Sequence, residues 1–436
     1  MPENCTKFLV TPNGTEQGQV LLTVLADPVA GGGVGCMQND VYILDLLVTG
    51  AEFVSVIDDG TGIDTILVSG LYSESVDIDL AWTIIDGKPY SATSRFVSAL
   101  RANHQLVIFG QIENVVGSNG SDCIAGNGLA NALSGDRWPS GLGAADTLWG
   151  GGGDDNLYGG AGDDHMSGGT DDDALWGDAG NDSLVGGTGA DTLEGGMGAD
   201  TLDGGGNPGD TLSYAKSRSG MNLTLRADAA TIGKGGDAAG DWISGFAQVI
   251  GSAKNDLITF AEKSTLPFGQ SDNTVYGGAG RDRISLGGGD DAGHGGSGDD
   301  SLFGELGRDT LSGDDGRDQL FGGLGQDVLT GGAGADRFIF IIADVSRPDA
   351  ADVITDFNPL DGDRIDLGPI DADAGLAGNQ AFDLISDDFT GRAGELRVAV
   401  QGSDLALFAD TNGDAQADFA LLLQNCDGQS LTDLIL

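Results

Sequence analysis

Residues 186–205 read GGTGADTLEGGMGADTLDGG. Two nine-residue phrases stand back to back, GGTGADTLE from Gly186 and GGMGADTLD from Gly195, and a third begins at Gly204. Aligned on the aspartate, the phrase continues upstream as GDAGNDSLV from Gly177, GGTDDDALW from Gly168, GGAGDDHMS from Gly159 and GGGGDDNLY from Gly150. Position six is then Asp155, Asp164, Asp173, Asp182, Asp191 and Asp200, and position eight is Leu157, Met166, Leu175, Leu184, Leu193 and Leu202. A second tract opens at Gly277 with GGAGRDRIS and runs in the same register to GGAGADRFI. Its aspartates are Asp282, Asp291, Asp300, Asp309, Asp318, Asp327 and Asp336. Only the copy LGGGDDAGH lacks an apolar eighth residue, having Gly293 there. A period held this long demands a repeated geometry rather than a disordered chain.

Each copy reads as a six-residue turn and a three-residue strand. Glycines allow the positive φ of a tight turn, and the short strand turns one apolar side chain inward because successive residues alternate faces. Two copies then make one coil of a flattened helix, and copies n and n+2 stack about 4.8 Å apart. Their aspartates stack too. Two unit charges at that spacing repel by ~1 kcal/mol even at the dielectric constant of water, so the column needs a cation. Calcium fits best: it accepts six to eight oxygen ligands, carboxylates and carbonyls together. Transition metals want His or Cys, which the period does not place. Magnesium keeps its water and demands a small octahedron.

Composition agrees. Among 436 residues there are 77 glycines but only 10 prolines, without a three-residue period, which excludes collagen. Sixty-eight acidic residues against 20 basic ones give a net charge of −48. That sign argues against nucleic acid and anionic membranes and favours cations. The cysteines, Cys5, Cys36, Cys123 and Cys426, form no CxxC pair; free buried thiols and a disulfide both remain open. No run approaches the ~18 apolar residues of a transmembrane helix. The segment MPENCTKFLVTPNGTEQ has no basic stretch followed by an apolar one, so a cleaved secretory signal is not expected.

The copies resemble the GGxGxDxUx repeat of the RTX (haemolysin-type calcium-binding) proteins. The resemblance implies an all-β fold, a right-handed parallel β-roll with several Ca²⁺ ions held between turns. It also implies the ligands. One turn supplies the carbonyls of positions two and four and its aspartate; the turn two copies later supplies the carbonyls of positions one and three and its aspartate. One such site is Gly151, Gly153 and Asp155 with Gly168, Thr170 and Asp173. Another is Gly187, Gly189 and Asp191 with Gly205 of a distorted turn. The remaining candidates are Gly160, Gly162, Asp164, Asp182 and Asp200 in the first tract. In the second they are Gly278, Gly280, Asp282, Asp291, Gly296, Gly298, Asp300, Asp309, Asp318, Gly323, Gly325, Asp327 and Asp336. Asp171 and Asp178 stand where other copies have glycine, at positions that call for a glycine-type φ.

Degenerate copies extend the resemblance. NDVYILD (39–45) and DGTGIDTIL (59–67), with Asp64 in the metal position, are of this kind, and 112–136 resembles a lead-in that RWPSGLG then interrupts. GDTLSYAKSRSGMNLTL (209–225) and GDWISGFAQVIGSAKNDLIT (240–259) read as spacer coils that bind little metal. From 331 onward, DVITDFNPLDGDRIDL, AGELRV and ADTNGDAQADFALLL resemble the C-terminal domain of serralysin-type secreted proteins, which carries an uncleaved type I secretion signal; the ending LTDLIL suits it. The expected domains are an N-terminal segment (1–37), a degenerate repeat region with an insertion (38–140), a first roll tract (141–210), spacer coils (211–276), a second roll tract (277–339) and a C-terminal β-rich cap (340–436).

Other signals are weaker. Asp410, Asn412, Asp414 and Asp418 have EF-hand spacing, but position twelve is Leu421, so an Asn-Gly hairpin turn is favoured. The histidines, His104, His165 and His294, form no HExxH; GxSxG and P-loop motifs are missing too. Trp149 and Trp176, at position nine, read as covering the roll surface or packing on a neighbouring segment, with an exposed sugar-binding row as the alternative. The expected protein is thus extracellular, folds on calcium and leaves through a type I exporter. A secreted hydrolase or polysaccharide-modifying enzyme and a cell-surface scaffold are the alternatives.

Overall fold

The computed structural model describes residues 113–117, 119–136, 143–226, 229–261, 272–341, 350–373, 375 and 379–426. It also gives the backbone of strands Leu21–Ala26, Asp40–Asp45, Phe53–Ile57, Thr65–Ser69, Asp77–Asp79, Thr83–Ile85, Lys88–Tyr90, Gln105–Phe109 and Leu434–Ile435. Asp64, His104, Cys5 and Cys36 lie outside the described residues. The chain divides into two compact units, 1–212 with 240–242, and 213–239 with 243–436. Among the described residues the helical structure is one 3₁₀ turn, Gly236–Ala238, and no helix is long and apolar enough to cross a membrane.

In the first unit, successive copies alternate between two parallel sheets. One contains Thr147–Gly152, His165–Thr170, Ser183–Thr188 and Thr201–Asp203; the other contains Ala132–Ser134, Asn156–Ala161, Ala174–Ala179 and Thr192–Glu194. Within a sheet the register steps by two copies, Leu148 to Met166 to Leu184 to Leu202, and Leu157 to Leu175 to Leu193. These side chains are at most 1% exposed. Each buried leucine contributes about 1.5–3 kcal/mol by leaving water, and the outward neighbours at positions seven and nine add little. Many strands have six residues rather than three. Pairing continues past the apolar position, as at Gly151 with Gly169 and Gly160 with Asp178, because turns poor in side chains let the backbones stay in contact. At position four Asp171 takes φ 77°, and at position two Asp178 takes φ 68°. Aspartate tolerates this left-handed region better than most side chains, so the turns survive the substitutions.

The second unit repeats the plan. Ile258, Ile284, Leu302, Leu320, Phe338 and Ile365 align on one sheet, and Val275, Gly293, Leu311, Leu329 and Ile354 on the other. Gly293 leaves a hole in that second column. Leu286, fully buried at position one of the same copy, fills it: a Cβ on Gly293 would meet Leu286 Cδ1 at 3.1 Å. Beyond the repeats, Glu395–Gln401, Asp404–Asp410 and Phe419–Leu423 form an antiparallel meander. Its last strand adds in parallel to Asp352–Ile354, so the C-terminal β-structure extends the roll sheet. The loop 410–418 closes on itself. Asp410 accepts the N–H groups of Asn412, Gly413 and Ala415, and Asp418 accepts from Thr411 and Asn412. It is a hairpin loop whose carboxylates are satisfied by their own turn.

Candidate metal centre

The position-six aspartates stack as the period requires, and their two oxygens have different fates. The main-chain N–H of each donates to Oδ1 of the aspartate two copies on. Asp155 reaches Asp173 at 2.9 Å, Asp173 reaches Asp191 at 2.9 Å and Asp164 reaches Asp182 at 2.8 Å. Asp182 donates likewise to Asp200. In the second tract Asp282 reaches Asp300 at 2.7 Å, Asp300 reaches Asp318 at 2.8 Å and Asp318 reaches Asp336 at 2.9 Å; Asp291, Asp309 and Asp327 link in the same way. All are buried, at most 2% exposed.

The other oxygen has no donor. Oδ2 of Asp155, Asp164, Asp173, Asp182 and Asp191, and of Asp282, Asp291, Asp300, Asp309, Asp318 and Asp336, is buried without a hydrogen-bond partner. A carbonyl lies close by in each case where the turn is well formed. A Cβ added to Gly295 would stand 2.6 Å from Asp300 Oδ2 and 2.7 Å from the Gly313 carbonyl. One on Gly313 would stand 2.5 Å from Asp318 Oδ2 and 2.6 Å from the Gly331 carbonyl. In the first tract Gly150 faces Asp155 Oδ2 and the Gly168 carbonyl in the same manner. The position-one glycine thus leaves open a cradle lined by a carboxylate oxygen and a carbonyl from two copies on.

An oxygen this deep resists ionisation. Burial, opposed by the N–H on Oδ1 and reinforced by neighbouring carboxylates, pushes Asp155, Asp173, Asp282, Asp291 and Asp318 up to about 7. Asp164 and Asp336 rise to about 6, and Asp182 and Asp309 to about 8. Asp191 and Asp300 are raised for the same leading reason. Unpaired buried carboxylates are costly, and a hard cation is the partner their chemistry admits. Among the described residues no three His, Cys, Asp or Glu side chains gather at one point. The donor set is therefore carboxylate plus backbone carbonyl, which suits Ca²⁺ and not a soft transition metal.

At Asp256, Asp210 and Asp363, outside the regular copies, protein donors take the second oxygen as well. Asp256, in the spacer, accepts from Met221 N and Ser252 Oγ on Oδ1 and from Ser252 N on Oδ2. Asp210 takes Asp191 N on Oδ1 and Asn207 N on Oδ2; Asp363 takes Asp336 N and Asn358 N. Each named aspartate stands just before a strand, whereas Gly151, Gly160, Gly168, Thr170, Gly187, Gly278, Gly296, Gly298 and Gly323 lie within strands. The ladder also runs upstream of the regular copies, where Asp122 N donates to Asp146 Oδ1 at 2.6 Å. Asp146 donates to Asp164 at 2.8 Å and has a partnerless Oδ2, but its turn lacks the glycine spacing. Asp136, which precedes the period, is off the ladder and accepts Ala161 N on Oδ2 at 2.9 Å. The rest of the surface is plainer: Trp149 is exposed, and Trp176 stacks on Tyr158 at 4.7 Å. His165 is exposed, and His294 stacks on Tyr276 at 4.8 Å.

Residues 140–175, 176–207, 269–302, 294–329 and 303–338 match the RTX calcium-binding nonapeptide repeat. The solution structure of the AlgE6R3 subunit from the Azotobacter vinelandii mannuronan C5-epimerase is similar at 27% identity, covering 40% of this chain and 84% of that one, with a TM-score of 0.21. No curated protein matches the chain. With the period, the stacked aspartates and the matched segments in agreement, the two tracts of this parallel β-roll are RTX calcium-binding repeats.

Proposed function

We propose that the chain is a secreted protein whose roll tracts fold when they bind extracellular Ca²⁺. The observation that carries this is the column of buried Asp Oδ2 atoms facing carbonyls with no donor. Each ion would sit between stacked turns, held by the aspartates and carbonyls named from the motif, Gly151, Gly153, Asp155, Gly168, Thr170 and Asp173 being one set. Extracellular calcium modules work at Kd of roughly 10⁻⁴–10⁻³ M, so cytosolic calcium would leave the ladder uncompensated. The chain would then stay expanded inside the cell and pass a type I exporter, the partner that the serralysin-like region implies. Outside, ion binding becomes folding free energy. The test is far-UV circular dichroism of chelated protein, then with millimolar Ca²⁺. The expected outcome is largely coil giving way to β-structure, and a β spectrum unchanged by complete metal removal would refute the coupling.

A further inference from the structure

We propose that the outer face of one sheet of the second unit binds an acidic glycan, a chain of hydroxyl-rich sugar rings carrying sparse carboxylates. The proposal needs the second unit folded and stands apart from the reading of secretion.

The face is built on position seven. Across the sheet Arg283, Ser301, Gln319, Arg337 and Arg364 stand in register, one per strand. The three arginines and Gln319 are exposed and Ser301 is half-buried, and no acidic residue interrupts the column. The other sheet of this unit has Thr274, Ala292, Thr310 and Val328 at the same position. In the regular copies of the first tract, position seven holds no lysine or arginine on either sheet. With 20 basic residues in the whole chain, the arginine column sets this face apart from the others.

More positive charge flanks it. On the adjoining turn edge Arg281 and Arg317 share a single acid, Asp299, at 2.6 and 2.9 Å. Arg337 pairs with Asp366. Arg283 and Arg364 have no ion-pair partner among the described residues. The Arg283 guanidinium carbon lies 4.1 Å from the centroid of the Phe303 ring, and Phe303 stacks on Phe321 at 4.4 Å. A guanidinium held over a ring keeps its N–H groups free at its rim. Arg281, Ser301, Arg317, Gln319 and Arg337 line a cleft of about 380 Å³.

These groups sort by what they recognise. An arginine fork matches a carboxylate with two parallel hydrogen bonds. Ser301 and Gln319, between Arg283 and Arg337, can both donate to and accept from hydroxyls. The half-buried Phe303–Phe321 pair offers apolar area to the C–H face of a sugar ring. Stacked strands lie ~4.8 Å apart, so the column from Arg283 to Arg364 spans roughly 19 Å. Charge this sparse suits a glycan with a carboxylate on some of its rings. It does not suit duplex nucleic acid, which carries one charge per ~1.7 Å. The net charge of −48 opposes the approach of any polyanion. Screening limits that repulsion to a range of ~8 Å at physiological salt, and bound calcium reduces it further.

The test is fluorescence anisotropy of labelled oligogalacturonate and hyaluronan oligosaccharides with the full chain in saturating Ca²⁺. Wild type is expected to bind at least one of them, and to bind its carboxyl-reduced form about tenfold or more weakly. Arg283→Gln combined with Arg364→Gln should weaken binding by a similar factor. Gln319→Glu, which sets a carboxylate inside the column, should do the same. Arg308 pairs with Asp290 on the other turn edge, so Arg308→Gln removes a charge elsewhere and should bind like wild type. Circular dichroism checks that each variant keeps its β-structure; if the double variant does not, Gln319→Glu decides. Failure of folded wild type to bind either oligosaccharide overturns the proposal. Equal weakening by Arg308→Gln also overturns it, because that marks a general charge effect. Tighter binding of single-stranded DNA than of both oligosaccharides overturns the glycan assignment as well.

Discussion

An aspartate has two oxygens, and this fold uses one for structure and leaves the other for a cation. Asp300 and Asp256 show the two outcomes. Asp300 accepts Asp282 N on Oδ1 and leaves Oδ2 bare, while Asp256 has donors on both oxygens. Asp300→Ala is accordingly expected to raise the calcium midpoint of folding several-fold, and Asp256→Ala to raise it less. A calcium titration followed by circular dichroism compares them, and equal midpoints contradict the assignment. The glycines divide as sharply. Gly298 has φ 137°, and a Cβ there would overlap the Gly280 carbonyl oxygen. Gly128 has open space around it. Gly298→Ala should cost about 1–3 kcal/mol or more in calcium-saturated protein, and Gly128→Ala within about 0.5 kcal/mol of nothing. Thermal or denaturant unfolding reads both.

Strands and turns reveal a difference between the tracts that the shared motif conceals. Position five lies on the turn edges. In the second tract Arg281 and Arg317 both pair with Asp299, and Arg308 pairs with Asp290. The first tract has no lysine or arginine between 141 and 210 and places Asp154, Asp163 and Asp172 at this position. Its edges lack these ion pairs and stack Asp154 on Asp172, while those of the second tract attract, and both effects are screened by salt. As calcium is lowered, amides of strands 147–203 should exchange hydrogen sooner than those of strands 274–330, and added salt should narrow the gap. Hydrogen exchange resolved by peptide tests this; simultaneous opening at every salt concentration contradicts it. The sequence made the period, the inward leucines and the ladder legible because each depends only on spacing. Other features depend on what stacks two copies away. Leu286 filling the space beside Gly293 could not be read from one copy, nor could Asp136 accepting Ala161 N. Asp146 is not legible because its turn has lost the glycines that advertise the motif, though not the geometry. The longer strands arose from side-chain-poor turns allowing the ladder to continue, which a local reading of glycine as turn does not foresee.

For the whole molecule, a net charge of −48 and a buried aspartate column set protons and calcium in competition. The ordinary carboxyl value is 3.8, and burial lifts the ladder to between about 6, at Asp164 and Asp336, and about 9, at Asp146. A group whose folded value is raised binds its proton more tightly in the folded state. Its protonation therefore favours the ion-free roll fully below 3.8, and that contribution is lost as pH rises through 6 to 9. Calcium has the opposite slope, because its ligands must be deprotonated. Chelated protein should consequently show more β-structure at about pH 5 than at about pH 9, while the gain on adding calcium should grow across that window. Near neutrality calcium binding should release protons, since Asp155, Asp173 and Asp318 are poised at about 7. Titration in buffers of different ionisation enthalpy measures that release directly. If the ion-free spectrum is the same at both pH values and no protons are released, the ladder carboxylates are not the groups that calcium displaces protons from.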